Sequence, residues 1–188
     1  HISIMVKEIL DILKIQPGEQ GVDATLGYGG HTRKMLDELK GRGHIYGLDV
    51  DPIEIVKTTE RLRNAGYGED IFTPVSENFA NVAKIAEKYG CFDFCLADLG
   101  VSSMQIDNPE RGFSYKLDGP LDLRLNPQAG ISAADRLLEL SQEEIEGMLV
   151  ENSDEPYASE IAAEIVKKIR KDKRISTTTE LRETIEKA

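Results

Sequence analysis

The sequence predicts an α/β fold built on a parallel sheet, and three observations carry that expectation. Short apolar segments alternate with helical patterns of about ten residues or more, the signature of parallel strands joined by crossover helices. The first strand stops at a glycine turn, Gly27-Tyr28-Gly29-Gly30, that runs into a helical segment. Acidic residues close two later strands, Asp49 in H-I-Y-G-L-D-V and Asp98 in F-D-F-C-L-A-D-L. In such sheets ligands bind outside the carboxyl ends of the strands.

In chain order, Met5–Ile15 reads as a helix ended by Gln16-Pro17-Gly18. Val22–Leu26 is a strand, His31–Leu39 a helix, and His44–Val50 a second strand. Asp51-Pro52 starts a helix over Ile53–Ala65, because Asp accepts from unpaired N–H groups and Pro suits the first turn. Ile71–Val75 is a third strand, Ala80–Tyr89 a helix, and Phe92–Leu99 a fourth strand. Gly100–Pro127 is loop-like. Beyond it the pattern is all helix: Ala133–Leu140, Gln142–Val150, Glu155–Arg170 and Thr179–Lys187. Ser141 and Glu144 form a capping box, and Thr178 or Thr179 caps the last helix. The pattern thus changes after Leu99. The fourth strand is left with an exposed edge. The helices, the rest of a longer protein, or a second copy in a homodimer would cover it.

The 188 residues include 40% hydrophobic and 30% charged side chains, a globular composition. No apolar run reaches the roughly 20 residues of a membrane span, and no leader pattern is visible, so a cytoplasmic protein without membrane attachment is expected. Cys91 and Cys95 read as reduced core residues. With no second Cys/His pair they make no zinc set, and no metal is expected. The net charge of −11 argues against sequence-blind nucleic-acid binding by the whole surface. A local basic run remains, Lys167, Lys168, Arg170, Lys171, Lys173 and Arg174; the favoured reading is a solvated helix face and the alternative an RNA contact.

The glycine turn with Asp49 downstream suits a nucleoside-type cofactor, in which an acid at the second strand's end bonds ribose hydroxyls. Its pattern G-x-G-G-H lacks the dehydrogenase spacing, which speaks against a nucleotide-dependent oxidoreductase. Asp98 is either a turn cap or a carboxylate at an active-site rim. His31 is a helix-start residue or a packed ring that lies beside the glycines. Gln105, Asp107, Arg111, Asp118, Asp122 and Arg124 crowd one loop, either a binding loop or an Ω-loop held by its own Arg–Asp pairs.

D-A-T-L-G-Y-G-G-H-T, L-D-V-D-P, E-N-F, D-L-G-V-S-S-M-Q-I-D, R-G-F-S-Y-K-L-D-G-P-L-D-L-R-L-N, D-E-P-Y-A and I-S-T-T-T-E-L together strongly resemble the RsmH (MraW) family, from His1 to about Leu181. The resemblance implies a Rossmann-like methyltransferase sheet, partial here, in a domain over 1–126, with an inserted all-helical domain over 127–188 that helps to bind RNA. It implies an S-adenosyl-L-methionine-dependent enzyme acting on N4 of a cytosine in the decoding region of 16S rRNA, within the small ribosomal subunit. Gly29, Gly30 and His31 would then contact the cofactor, Asp49 its ribose and Phe79 its adenine region. Asp98 and Gln105 would complete the pocket, and Asp98 is the candidate catalytic acceptor. Two departures stand out: Tyr28 where glycine is frequent, narrowing the site, and Ser153-Asp154 where Gly-Glu is usual. The family continues with further sheet strands, so the chain is expected to carry about its first two thirds. The rival reading is a fragment that binds cofactor or RNA without turnover.

Overall fold

A computed structural model describes residues 3–171 and 174–188, which pack as two compact units divided between Ser102 and Ser103.

The first unit is a four-stranded, all-parallel sheet in the order β3-β2-β1-β4. Its strands are β1 (Gln20–Asp23), β2 (His44–Asp49), β3 (Phe72–Ser76) and β4 (Phe94–Leu96). Its helices are α1 (Val6–Leu13), α2 (Gly30–Leu39), α3 (Pro52–Asn64) and α4 (Val82–Tyr89), the last preceded by a 3-10 turn at Phe79–Asn81. The period of two along β2 sorts the core onto two faces. Ile45 joins Met35, Leu36 and Leu39 of α2, Ile55 and Leu62 of α3, Phe72 and Phe94. Tyr46 and Leu48 join Val22 and Ile85 of α4 on the other. Met35, Leu39, Ile45 and Leu48 are fully buried.

Asp51 caps α3 as expected, its carboxylate accepting from the N–H of Ile53 at 3.0 Å, with Pro52 in the first turn. Asp93 is a strand-entry residue: its carboxylate accepts from the Gln20 N–H at 2.8 Å.

Two expectations need correction. The first strand lies at Gln20–Asp23, not Val22–Leu26; Ala24–Leu26 is already the turn. Leu26 is buried nonetheless, dropping into the α2–α3 side of the core, so an apolar run marks burial here but not strand. Cys91 and Cys95 are exposed, not core. Cys95 pairs in register with the fully buried Val22, but β4 is the edge strand, beyond the cover that α4 gives the central strands.

The second unit holds α5 (Ser103–Asp107), α6 (Ala133–Glu139), α7 (Gln142–Ser153), α8 (Ala158–Ile169) and α9 (Thr178–Ile185). The α5 turn was not expected inside the loop. Leu121, Leu137, Ile145, Ile161, Ile165 and Ile175 form its core. The capping box Ser141–Glu144 is present. The last helix is capped by Thr177, one residue before the expected position, with Glu180 completing a second box.

The Gly/Pro-rich loop packs with these helices. Leu121 N–H donates to the Ser176 carbonyl at 2.8 Å, and Thr178 N–H to the Gly119 carbonyl at 2.9 Å. Asp122 and Arg124 pair at 2.6 Å, as the Ω-loop alternative anticipated of its Arg and Asp residues, and Arg111 donates to the carbonyls of Arg124 and Leu125. The hydrogen bonds from Arg124 hold the Asp122 carboxyl below its ordinary value of 3.8. A depressed carboxyl contributes stability above the unfolded value and loses it as pH falls through the folded one. Asp122→Asn is therefore expected to cost about 1 kcal/mol near neutral pH and progressively less below the ordinary carboxylate range, read by denaturant unfolding at several pH values.

Candidate functional site

All four strands run the same way, so their carboxyl ends share one edge, and the sequence-predicted residues of the first unit fall on it. β1 ends at Asp23, and the chain turns through Gly27, Tyr28 and Gly29 into α2. Gly29 is the residue before the helix, left-handed at φ 79, and gives no side-chain cap. A β-carbon there would meet Thr58 Cγ2 at 2.6 Å, so glycine is required both by the backbone and by the approach of α3. α2 starts at this sheet edge, and a helix start favours anionic groups.

Asp49 is the hub of the site. One carboxylate oxygen accepts from the Gly27 N–H at 2.8 Å and the other from the Asp51 N–H at 2.8 Å. This single side chain fixes the glycine turn after β1 and the start of α3. Each oxygen has a second lone pair, so the carboxylate has capacity to accept from two adjacent hydroxyls as well. Burial pushes its carboxyl up, partly opposed by those two N–H groups and reinforced by the nearby Asp51 and Glu54 carboxylates.

From the end of β3 the chain is tied to the same place, because Glu77 N–H donates to the Asp49 carbonyl. Two residues on, Phe79 opens the 3-10 turn that Asn78 caps. Phe79 is 46% exposed, which leaves its aromatic side chain accessible to a flat heterocycle.

Beyond β4, the Asp98 N–H donates to Thr25 Oγ1 at 2.7 Å, which anchors the backbone while the side chain stays about half exposed. Its carboxylate lies 3.7 Å from His31 Nδ1. The other ring nitrogen of His31, Nε2, sits 2.9 Å from the Ile4 carbonyl and must donate to it. His31 is thus a helix-start residue bridging the N-terminal segment and Asp98.

The structure brings Gly29, Gly30, His31, Asp49 and Asp98 to one edge, with Phe79 on the turn tied to Asp49. Gln105 belongs to the second unit, where it is buried on α5.

Sequence reasoning missed Asp23. It is 1% exposed, accepts from Thr32 Oγ1 at 2.5 Å and from the Thr25 N–H at 3.1 Å, and burial pushes its carboxyl up. It ties the end of β1 to the first turn of α2. The available signal was an acid inside an apolar run directly before a glycine turn. Thr58 and Arg61 of α3 were also missed, because nothing local marks a helix residue whose partner is a carbonyl some thirty positions earlier.

Of the basic run, Lys167 pairs with Glu164, Lys168 donates to the Glu180 carbonyl and Thr184, and Arg174 pairs with Asp135 at 2.6 Å. Arg170 and Lys171 are exposed; Lys173 lies outside the described residues.

Chemically, this edge offers a carboxylate for a diol, backbone N–H groups for an anion, a ring for a heterocycle, and a second carboxylate exposed beside them. Among curated proteins, the chain is 66% identical over 186 residues to "Ribosomal RNA small subunit methyltransferase H 1" of Agathobacter rectalis, covering 99% of the chain and 53% of that relative. It is 64% identical over 187 residues to the protein of the same name from Lachnoclostridium phytofermentans, covering 51% of it. It is 38% identical over 187 residues to "Ribosomal RNA small subunit methyltransferase H" of Trichlorobacter lovleyi, covering 58%. The chain spans about half the length of its most similar relatives here, less than the two thirds expected from the motifs. The MraW methylase family model matches residues 1–188. The chain belongs to the MraW methylase family.

Proposed function

We propose that this chain is the cofactor-binding and helical part of an S-adenosyl-L-methionine-dependent methyltransferase acting on N4 of a cytosine in the decoding region of 16S rRNA. The observation that supports it most is the joint placement of the Gly27–His31 turn, Asp49, Phe79 and Asp98 at one sheet edge.

The residues suit the cofactor group by group. Asp49 has acceptor capacity for the ribose diol, Phe79 offers a face for adenine, and the first-turn N–H groups of α2 suit the methionine carboxylate. The cofactor supplies an electrophilic methyl on a sulfonium. The chain's task is to hold the acceptor and its protons. The cytosine amine is a weak nucleophile because its lone pair is delocalised into the ring. A site must align it with the methyl and accept hydrogen bonds from its N–H groups as the nitrogen pyramidalises. Asp98, exposed and backbone-anchored, is the acceptor we assign. The target base would be turned out of its surroundings to reach it.

A second reading is supported by the chain's coverage of about half its relatives and by β4 pairing with β1 alone among the described residues: a binding piece without turnover. Incubation with small ribosomal subunits and methyl-labelled cofactor separates the two. Label recovered as N4-methylcytosine is expected from the methyltransferase reading; cofactor binding with no transfer supports the piece. Full transfer by Asp98→Ala at saturating cofactor would remove Asp98 from its role.

A further inference from the structure

Tyr28 stands in the middle of the glycine turn, where a large ring is expected to narrow the site. The structure shows the ring turned onto α3. The Arg61 guanidinium lies 3.7 Å from the Tyr28 ring centroid, and Arg61 Nη1 donates to the Tyr28 carbonyl at 2.6 Å. Nη1 also donates to Thr58 Oγ1 at 2.8 Å, and Thr58 Oγ1 donates to the Gly27 carbonyl at 2.5 Å. Thr58 is fully buried, and Arg61 is itself braced by Glu54 at 3.6 Å, which is 7% exposed and also pairs with Lys57. Two successive carbonyls of the turn are therefore drawn toward one helix face, one turn apart along α3. In a trans peptide the C=O and the following N–H are antiparallel, so fixing the Gly27 carbonyl on α3 turns the Tyr28 N–H away from it.

We infer that Arg61, with Thr58, is a positioning residue of the cofactor seat: it holds the Tyr28 ring and the Gly27 and Tyr28 carbonyls on α3, away from Gly29–His31. This rests on reading that turn as the seat for S-adenosyl-L-methionine. A bulky residue at position 28 is compatible with the seat because Arg61 offers its ring another place to lie. The ring sits between two glycines at positive φ, Gly27 at 47° and Gly29 at 79°, a turn geometry that glycine permits. Lys57 remains beside Glu54 when Arg61 is removed, so the buried acid keeps a partner.

Calorimetric titration of the chain with S-adenosyl-L-methionine tests this. Arg61→Ala is expected to weaken binding about five- to tenfold, through the loss of one cation–π contact and two hydrogen bonds. Arg61→Gln, which keeps an amide donor for the Tyr28 carbonyl but not the stacked guanidinium, should weaken binding in the same direction. The Tyr28→Ala/Arg61→Ala double variant should recover most of the loss, whereas Tyr28→Phe/Arg61→Ala should not, since the ring remains. A purely structural role for Arg61 would show as a lowered melting temperature that removing the ring does not repair. Wild-type affinity in both Arg61 variants, or a double variant as weak as Arg61→Ala, overturns the positioning role and leaves the seat standing. A wild-type chain that binds no S-adenosyl-L-methionine overturns the seat, and the positioning role with it.

Discussion

Asp49→Asn is expected to fold and to bind S-adenosyl-L-methionine about ten- to a hundredfold more weakly than wild type in a calorimetric titration. Both carboxylate oxygens accept from backbone N–H groups, Gly27 on one and Asp51 on the other. An amide has only one acceptor oxygen, so its NH2 must face one of those donors. The turn after β1 or the start of α3 then loses its tether, and the ribose diol loses a charged acceptor. Asp49→Ala should be weaker still, because both tethers go. Unchanged affinity in Asp49→Asn would mean that the carboxylate is a backbone brace and nothing more.

The second large effect is on stability. Gly119→Ala places a β-carbon 2.0 Å from the Pro109 carbonyl oxygen, and Gly112→Ala places one 2.2 Å from the Pro120 carbonyl oxygen at φ 72. The loop therefore closes backbone on backbone at two crossing points, and neither neighbour is a side chain that can swing away. Gly119→Ala is expected to destabilise the helical unit by about 2–4 kcal/mol. The Thr178 amide donates to the Gly119 carbonyl and the Leu121 amide to the Ser176 carbonyl, so their hydrogen exchange should accelerate most. Unaltered exchange at both amides would show that the loop tolerates the added carbon by shifting as a body.

These two predictions mark what was legible in the sequence. Alternation of apolar runs with helical patterns is enough for four parallel strands, since each segment must bury its own faces. Asp51-Pro52 and Ser141–Glu144 announce helix starts through local chemistry, and both are observed. The position of Asp49 was readable, since the apolar run of the second strand closes on it, and β2 ends there. Strand register was not. Val22, Ala24 and Leu26 make Val22–Leu26 read as one apolar run, yet the strand ends at Asp23 and Leu26 is buried from a turn. The order β3-β2-β1-β4 is a long-range property, and with it came the error over Cys95, whose apolar neighbours suggested core while its edge position exposes it. Thr58 and Arg61 escaped notice for the same reason: their partners are carbonyls of Gly27 and Tyr28, which no side-chain pattern records. Within the Gly/Pro-rich loop the self-bonded reading is the one observed, as Asp122 and Arg124 pair and its glycines allow its backbone to cross.

The central claim is that the carboxyl edge of the sheet seats S-adenosyl-L-methionine through the Gly27–His31 turn and Asp49. Parallel titrations of the wild-type chain with S-adenosyl-L-methionine and with NAD test it most directly. Saturable one-to-one binding of S-adenosyl-L-methionine, weakened by Asp49→Asn, with no comparable heat from NAD, is the predicted result. Preferential binding of NAD, or no binding of S-adenosyl-L-methionine by the folded chain, would contradict it.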